Sequence, residues 1–135
     1  IVKMAHERGM KVLVDEAHGT HLYFGENLPI SGIKAGADLA AVSMHKSGGS
    51  LTQSSLLLLG ENMNPGYVRQ IINLTQTTSG SYLLLSSLDI SRRTLALRGE
   101  EIFDKVMSMV DYARKEINQI GDYYAYLSDL WFSIR

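Results

Sequence analysis

Two short runs concentrate the residues of this chain that are able to do chemistry, Asp15-Glu16-Ala17-His18-Gly19 and Ser43-Met44-His45-Lys46. A lysine beside a histidine and hydroxyl groups is suited to forming a Schiff base, because nearby cations and burial favour its neutral, nucleophilic amine. An aspartate facing that amine can keep a pyridine nitrogen protonated and so make the ring an electron sink. Other readings of the same residues compete. Asp-Glu-Ala-His is also the box in which a helicase acid holds magnesium, but its companion phosphate loop is absent from these residues and Lys46-Ser47 lacks the preceding glycines. His18, His21 and His45 could ligate zinc, although a His-x-x-His pair without a third ligand at fixed spacing is a weak signal. Taken singly, Asp15 reads as a loop cap and Lys46 as a solvated lysine; their combination is what argues for a site.

The elements that must position them follow from the apolar pattern. Lys11 to Asp15, Leu39 to Ser43 and Ser55 to Leu59 read as buried strands of a mostly parallel sheet. Asp15 and Lys46 then stand at two strand ends on one sheet edge, the carboxyl end, where open α/β sheets bind ligands. Residues 1–9 read as the end of a helix stopped by Gly9, and residues 29–36 as a short helix with Pro29 in its first turn. Asn64-Pro65 starts another helix that runs to Leu74. After Gly80 the pattern predicts two long helices separated at Gly99. Leu84, Leu88 and Leu95 form one stripe; Ile102, Val106, Met109, Val110, Ala113, Ile117 and Ile120 form the other. Glu101 with Lys105 and Asp111 with Lys115 are acid-first i,i+4 pairs. Leu130 to Arg135 alternates as a strand does. Beginning inside a helix and ending inside a strand, the chain is expected to be part of a longer enzyme.

Composition narrows the class. With 135 residues, 45% hydrophobic and 20% charged, the chain has the balance of one globular domain. Thirteen Lys+Arg against 14 Asp+Glu supply no cationic excess for nucleic acid or anionic lipid. The absence of cysteine excludes disulfides, thiolate metal sites and cysteine nucleophiles within these residues and makes the cytoplasm the expected compartment. No apolar run approaches the roughly 20 residues of a membrane span.

Six motifs, in order, resemble the Orn/Lys/Arg decarboxylase family. They are Val-Leu-Val-Asp-Glu-Ala-His-Gly (12–19), Leu-Pro-Ile-Ser (28–31), Ala-Gly-Ala-Asp (35–38), Ser-Met-His-Lys (43–46), Gly-Ser-Leu-Thr-Gln-Ser-Ser (49–55) and Gln-Thr-Thr-Ser (76–79). The resemblance implies an α/β fold, part of the pyridoxal-phosphate (PLP) enzymes' major domain of the aspartate aminotransferase type. It implies that residues 1–120 belong to that domain and that 121–135 begin the connection to a following one. By the same resemblance Lys46 is the lysine that binds PLP as a Schiff base, Asp15 the partner of the pyridine nitrogen and Ala17 the small residue against the ring. Ser43 and His45 would contact the cofactor's phosphate and surroundings, and His18 would lie beside the reactive carbon. Thr78 and Ser79 match a segment that approaches a partner subunit's phosphate, although Gly80 replaces the family's usual proline.

The implied activity is decarboxylation of lysine, ornithine or arginine, with electrons from the lost carboxylate drawn into the ring. An α-oxoamine synthase, which also has an Asp-x-Ala-His run before its lysine, is the enzymatic alternative; an inactive excised piece of the fold is the other. The expected partners are a basic amino acid and further copies of the chain, with neither nucleic acid nor membrane. Uncovered sheet edges and the aromatics Tyr123, Tyr124, Tyr126, Trp131 and Phe132 argue for the self-association.

Overall fold

The computed structural model describes residues 1–25 and 28–126. It is an α/β structure whose chain falls into two compact units, Ile1–Gly99 and Glu100–Arg135. The expected strand at Leu130 to Arg135, with Trp131 and Phe132, lies outside the described residues.

In the first unit, α1 (Val2–His6) ends in a left-handed turn: Gly9 has φ +70° and the Met10 N–H reaches back to the Ala5 carbonyl at 3.0 Å. Strand β1 (Leu13–Asp15) pairs in parallel with β2 (Leu39–Ser43), Leu13 opposite Leu39 and Asp15 opposite Ala41. Strand β3 (Ser55–Leu59) pairs with the other edge of β2, but antiparallel, Leu39 opposite Leu59 and Ser43 opposite Ser55. Connection length explains this departure from the parallel expectation. The 23 residues 16–38 suffice for a parallel crossover, whereas the 11 residues 44–54 fall short of the dozen or so that one needs. The strands also alternate in burial. Ala40 and Val42 are buried, while Leu13 and Leu57, on the opposite face, are exposed. The sheet is therefore covered on one face among the described residues, not on both.

Asp38 anchors the entry to β2. Its buried carboxylate accepts from Lys11 Nζ at 2.7 Å, the Val12 N–H at 2.9 Å and His6 Nε2 at 2.8 Å. Those three donors, Lys11 foremost, hold its carboxyl well below the usual carboxylate range. The short helix expected at 29–36 is instead a pair of tight turns, Ala35 N–H to Ser31 O at 2.8 Å and Ala37 N–H to Gly32 O at 2.9 Å. Two glycines and Pro29 in eight residues leave too few good helix formers to sustain a helix.

One turn of helix, α2 (Met44–Ser47), follows β2 directly. Helix α3 (Pro65–Thr75) starts as its sequence dictates, with the Asn64 side chain accepting from the Gly66 and Tyr67 N–H groups at 2.9 and 3.2 Å and Pro65 in the first turn. Helix α4 (Tyr82–Ile120) is continuous, and so corrects the expected break at Gly99. That glycine serves close packing: a Cβ there would fall 2.5 Å from Phe24 Cδ1 and 2.7 Å from its Cγ. The stripe of Leu84, Leu88 and Leu95 is at least half-buried, with Ser91 buried in its midst.

In the second unit the expected apolar stripe is largely on the surface. Val106, Met109, Ile117 and Ile120 are exposed, while Phe103 is buried and Met107, Arg114 and Asn118 are partly covered. Asp111 pairs with Arg114 at 3.5 Å, one position nearer than the expected Lys115. At the helix end the Asn118 amide brackets Ala125, accepting from its N–H at 2.7 Å and donating to its carbonyl at 3.0 Å. No helix among the described residues is long and apolar enough to cross a membrane.

Candidate active site

Parallel pairing brings the carboxyl ends of β1 and β2 to the same edge, and the two chemical runs leave the sheet there. They border an open cleft of about 520 Å³ lined by Asp15, Glu16, Ala17, His18, Gly19, His21, Leu22 and Lys46. That volume is within the range of small-molecule sites, roughly 300 to 1,000 Å³.

Asp15 is the last residue of β1. Its Oδ1 accepts the Ala17 N–H at 3.0 Å, an Asx-type turn that bends the chain into the cleft wall, and its Oδ2 has no partner among the described residues. Lys46 stands on the exposed side of α2 and carries neither an ion pair nor a hydrogen bond among the described residues. The cleft thus offers a carboxylate oxygen and an uncommitted primary amine on opposite runs of chain. His18 is exposed at the rim. His21 also lines the cleft, but no group of three metal-ligating side chains exists among the described residues.

The other site residues expected from sequence are placed differently. Ser43 lies at the junction of β2 and α2, next to the cleft but not lining it, and its side chain does not cap the helix. His45 turns toward β3: its ring Nδ1 and its backbone N–H both donate to the Ser54 carbonyl, at 3.0 and 3.2 Å. Thr78 and Ser79 are exposed in the connection between α3 and α4 and do not line the cleft.

Glu16 is the residue whose part the sequence left unread. It is buried beside the exposed Asp15, and its carboxylate accepts from the Tyr23 hydroxyl and the Gly32 N–H, both at 2.6 Å. Through these bonds it ties the cleft loop to the 3-10 turn at Thr20–Tyr23 and to the tight turn after Ser31. Burial, and secondly the hydrogen bond to Glu16, pushes the Tyr23 phenol up to about 12. The available signal was the alternation of β1, which turns neighbouring acids to opposite sides of the chain. Nearby, the Ser47 and Ser50 hydroxyl oxygens are buried without a partner among the described residues.

The arginine decarboxylase of Halalkalibacterium halodurans is 50% identical over 125 residues, covering 92% of this chain and 26% of that protein. The arginine decarboxylases of Bacillus cereus and Bacillus subtilis are 47% and 45% identical, covering 92% and 96% of this chain and 27% of each protein. This chain therefore spans about a quarter of the length of the relatives it matches. A crystal structure of a SepCysS–SepCysE N-terminal domain complex aligns with a TM-score of 0.61 at 20% identity, over 88% of this chain and 32% of that one, a likeness of fold. The model of the Orn/Lys/Arg decarboxylase major domain matches residues 1–133, and with nearly the whole sequence accounted for, the chain belongs to that family.

Proposed function

We propose that these residues form the lysine-bearing part of a decarboxylase acting on a basic amino acid, with arginine the first substrate to test because the named relatives are arginine decarboxylases. The observation that carries the reading is the cleft itself, a cavity of small-molecule size that both Asp15 and Lys46 line. Its residues fit pyridoxal phosphate: an uncommitted amine to meet an aldehyde, a carboxylate oxygen to meet a ring nitrogen, and the small Ala17 where a flat ring needs room. When bound, that group supplies an aldehyde and an electron-withdrawing ring.

The chain's own residues then have distinct tasks. Lys46 would hold the cofactor through its Nζ, at the aldehyde where a substrate amine would also bind. Asp15 keeps a proton on the ring nitrogen through Oδ2, while the Ala17 N–H fixes Oδ1 and hence the plane of the carboxylate. His18, exposed where it lines the cleft, would carry a proton between water and the cleft. Ser43, His45, Thr78 and Ser79 belong to the same proposal as cofactor contacts, the last two toward a second copy of the chain. That copy finds apolar surface in the exposed Tyr123, Tyr124 and Tyr126.

The test uses the full-length protein that carries this chain. Pyridoxal phosphate should give a visible absorbance that Lys46→Ala abolishes, and borohydride should fix the group's mass on the peptide containing Lys46. Carbon dioxide should be released from arginine, lysine or ornithine. Release from none of the three, together with condensation of glycine or alanine with an acyl-CoA, would refute the decarboxylase reading.

A further inference from the structure

Four residues make a single turn, too short to be stable alone, because nucleating a helix fixes several residues for one hydrogen bond. Helix α2 is such a turn, and it carries Lys46. Its geometry must be imposed from outside. At its start Met44 is buried and His45 is tied to Ser54. At its end the Gly48–Leu51 loop is tied to α4: the Ser91 hydroxyl donates to the Gly48 carbonyl, and the Leu51 N–H donates to Ser87 Oγ at 3.0 Å. The Ser87 hydroxyl in turn donates to Leu84 O at 3.1 Å, which fixes the direction of its acceptor lone pairs.

Ser87 and Ser91 are four residues apart and so share a helix face, the one that also carries Leu84 and Leu95. On an inward stripe a hydroxyl gives less packing than the methyl groups of leucine. Ser91 is nevertheless buried, at 5% exposure, and its hydroxyl is spent on the backbone two residues beyond Lys46. We propose that Ser87 and Ser91 are positioning residues for Lys46, a two-point clamp by which α4 sets the direction of the amine into the cleft. This rests on the functional reading above, in which Lys46 forms the bond to the cofactor.

The experiment compares Ser91→Ala, Ser87→Ala, Ser91→Thr and Leu95→Ala in the full-length protein. The rate at which Lys46 acquires pyridoxal phosphate is followed by absorbance and by borohydride trapping, alongside kcat, KM and Tm. Misdirecting a reacting amine by a fraction of an ångström should lower the trapping rate and kcat about tenfold in Ser91→Ala, and less in Ser87→Ala, with KM within about twofold of wild type. Ser91→Thr keeps the hydroxyl and should recover most of the rate. Leu95→Ala, which removes packing from the same face, should lower Tm and leave the trapping rate alone.

The clamp is refuted if both serine variants trap at the wild-type rate, or if Leu95→Ala slows trapping as much as Ser91→Ala. Should Ser91→Ala fail to fold, Ser87→Ala decides by the same rate. A wild-type protein with no Lys46-dependent trapping would instead overturn the functional reading, and the clamp with it.

Discussion

Glu16→Ala removes the acceptor from two hydrogen bonds at once, those from the Tyr23 hydroxyl and the Gly32 N–H at 2.6 Å each. Bonds to a charged acceptor contribute about 1.5 to 3 kcal/mol apiece. Tyr23 and Gly32 are both partly accessible, so water can replace some of the loss and the lower figure applies. The expected destabilisation is therefore about 3 kcal/mol, a large share of the roughly 5 to 15 kcal/mol that holds a typical domain folded. Glu16→Gln separates shape from charge. Its Oε1 still accepts from Gly32 and its Nε2 can donate to the Tyr23 oxygen, so the cost should fall to about 1 kcal/mol, the charge assistance alone.

The same pair predicts an alkaline effect of definite sign. Tyr23, with its phenol pushed up to about 12, contributes stability that is complete below the ordinary value near 10 and lost as pH rises toward about 12. Glu16→Gln removes the second cause of that rise, so tyrosinate should form at lower pH, and the alkaline loss of stability, which starts near the ordinary value in either protein, should be smaller and end sooner. Urea unfolding at a series of pH values gives the stabilities, and ultraviolet titration against a Tyr23→Phe reference isolates this phenol among the seven tyrosines. A cost for Glu16→Ala no greater than that for Glu16→Gln, or a Tyr23 titration unmoved by Glu16→Gln, would refute the account of Glu16 as the tie between cleft loop and turns.

Three further outcomes are expected. Gly99→Ala should destabilise by about 1 to 2 kcal/mol despite alanine's better helix propensity, because the new methyl meets the Phe24 ring near its root; pairing it with Phe24→Ala should cancel the clash in a double-mutant cycle, and additive costs would show no contact. Asp38, its carboxyl held low, contributes stability that is present above the ordinary carboxyl value near 4 and lost as pH falls below it. Asp38→Asn should therefore flatten the acid limb of the stability curve, and an unchanged limb would refute that role. Asn64→Ala should cost about 1 kcal/mol by leaving the Gly66 and Tyr67 N–H groups uncapped, measured as a shift in urea midpoint at constant slope.

The local elements were legible because each is governed by neighbours in sequence. Strands β2 and β3 occupy the residues their apolar runs mark, Gly9 takes the left-handed conformation its place after α1 calls for, and Asn64-Pro65 opens α3. The common edge of Asp15 and Lys46 was legible too, since each follows a strand and the long 16–38 connection allows parallel pairing. Tertiary contacts decided the rest. The direction of β3 came from a connection too short to cross over, and the continuity of α4 through Gly99 from a phenyl ring that occupies the space of a side chain. The same holds for Glu16, which pattern alone leaves as one more acid in a charged run. It became a buried tie only when Tyr23 and Gly32, seven and sixteen residues away, folded back to donate to it. Periodicity reports which side of an element is apolar; it carries no information about which distant polar groups will meet, because those bonds depend on loop paths that only the packed chain defines.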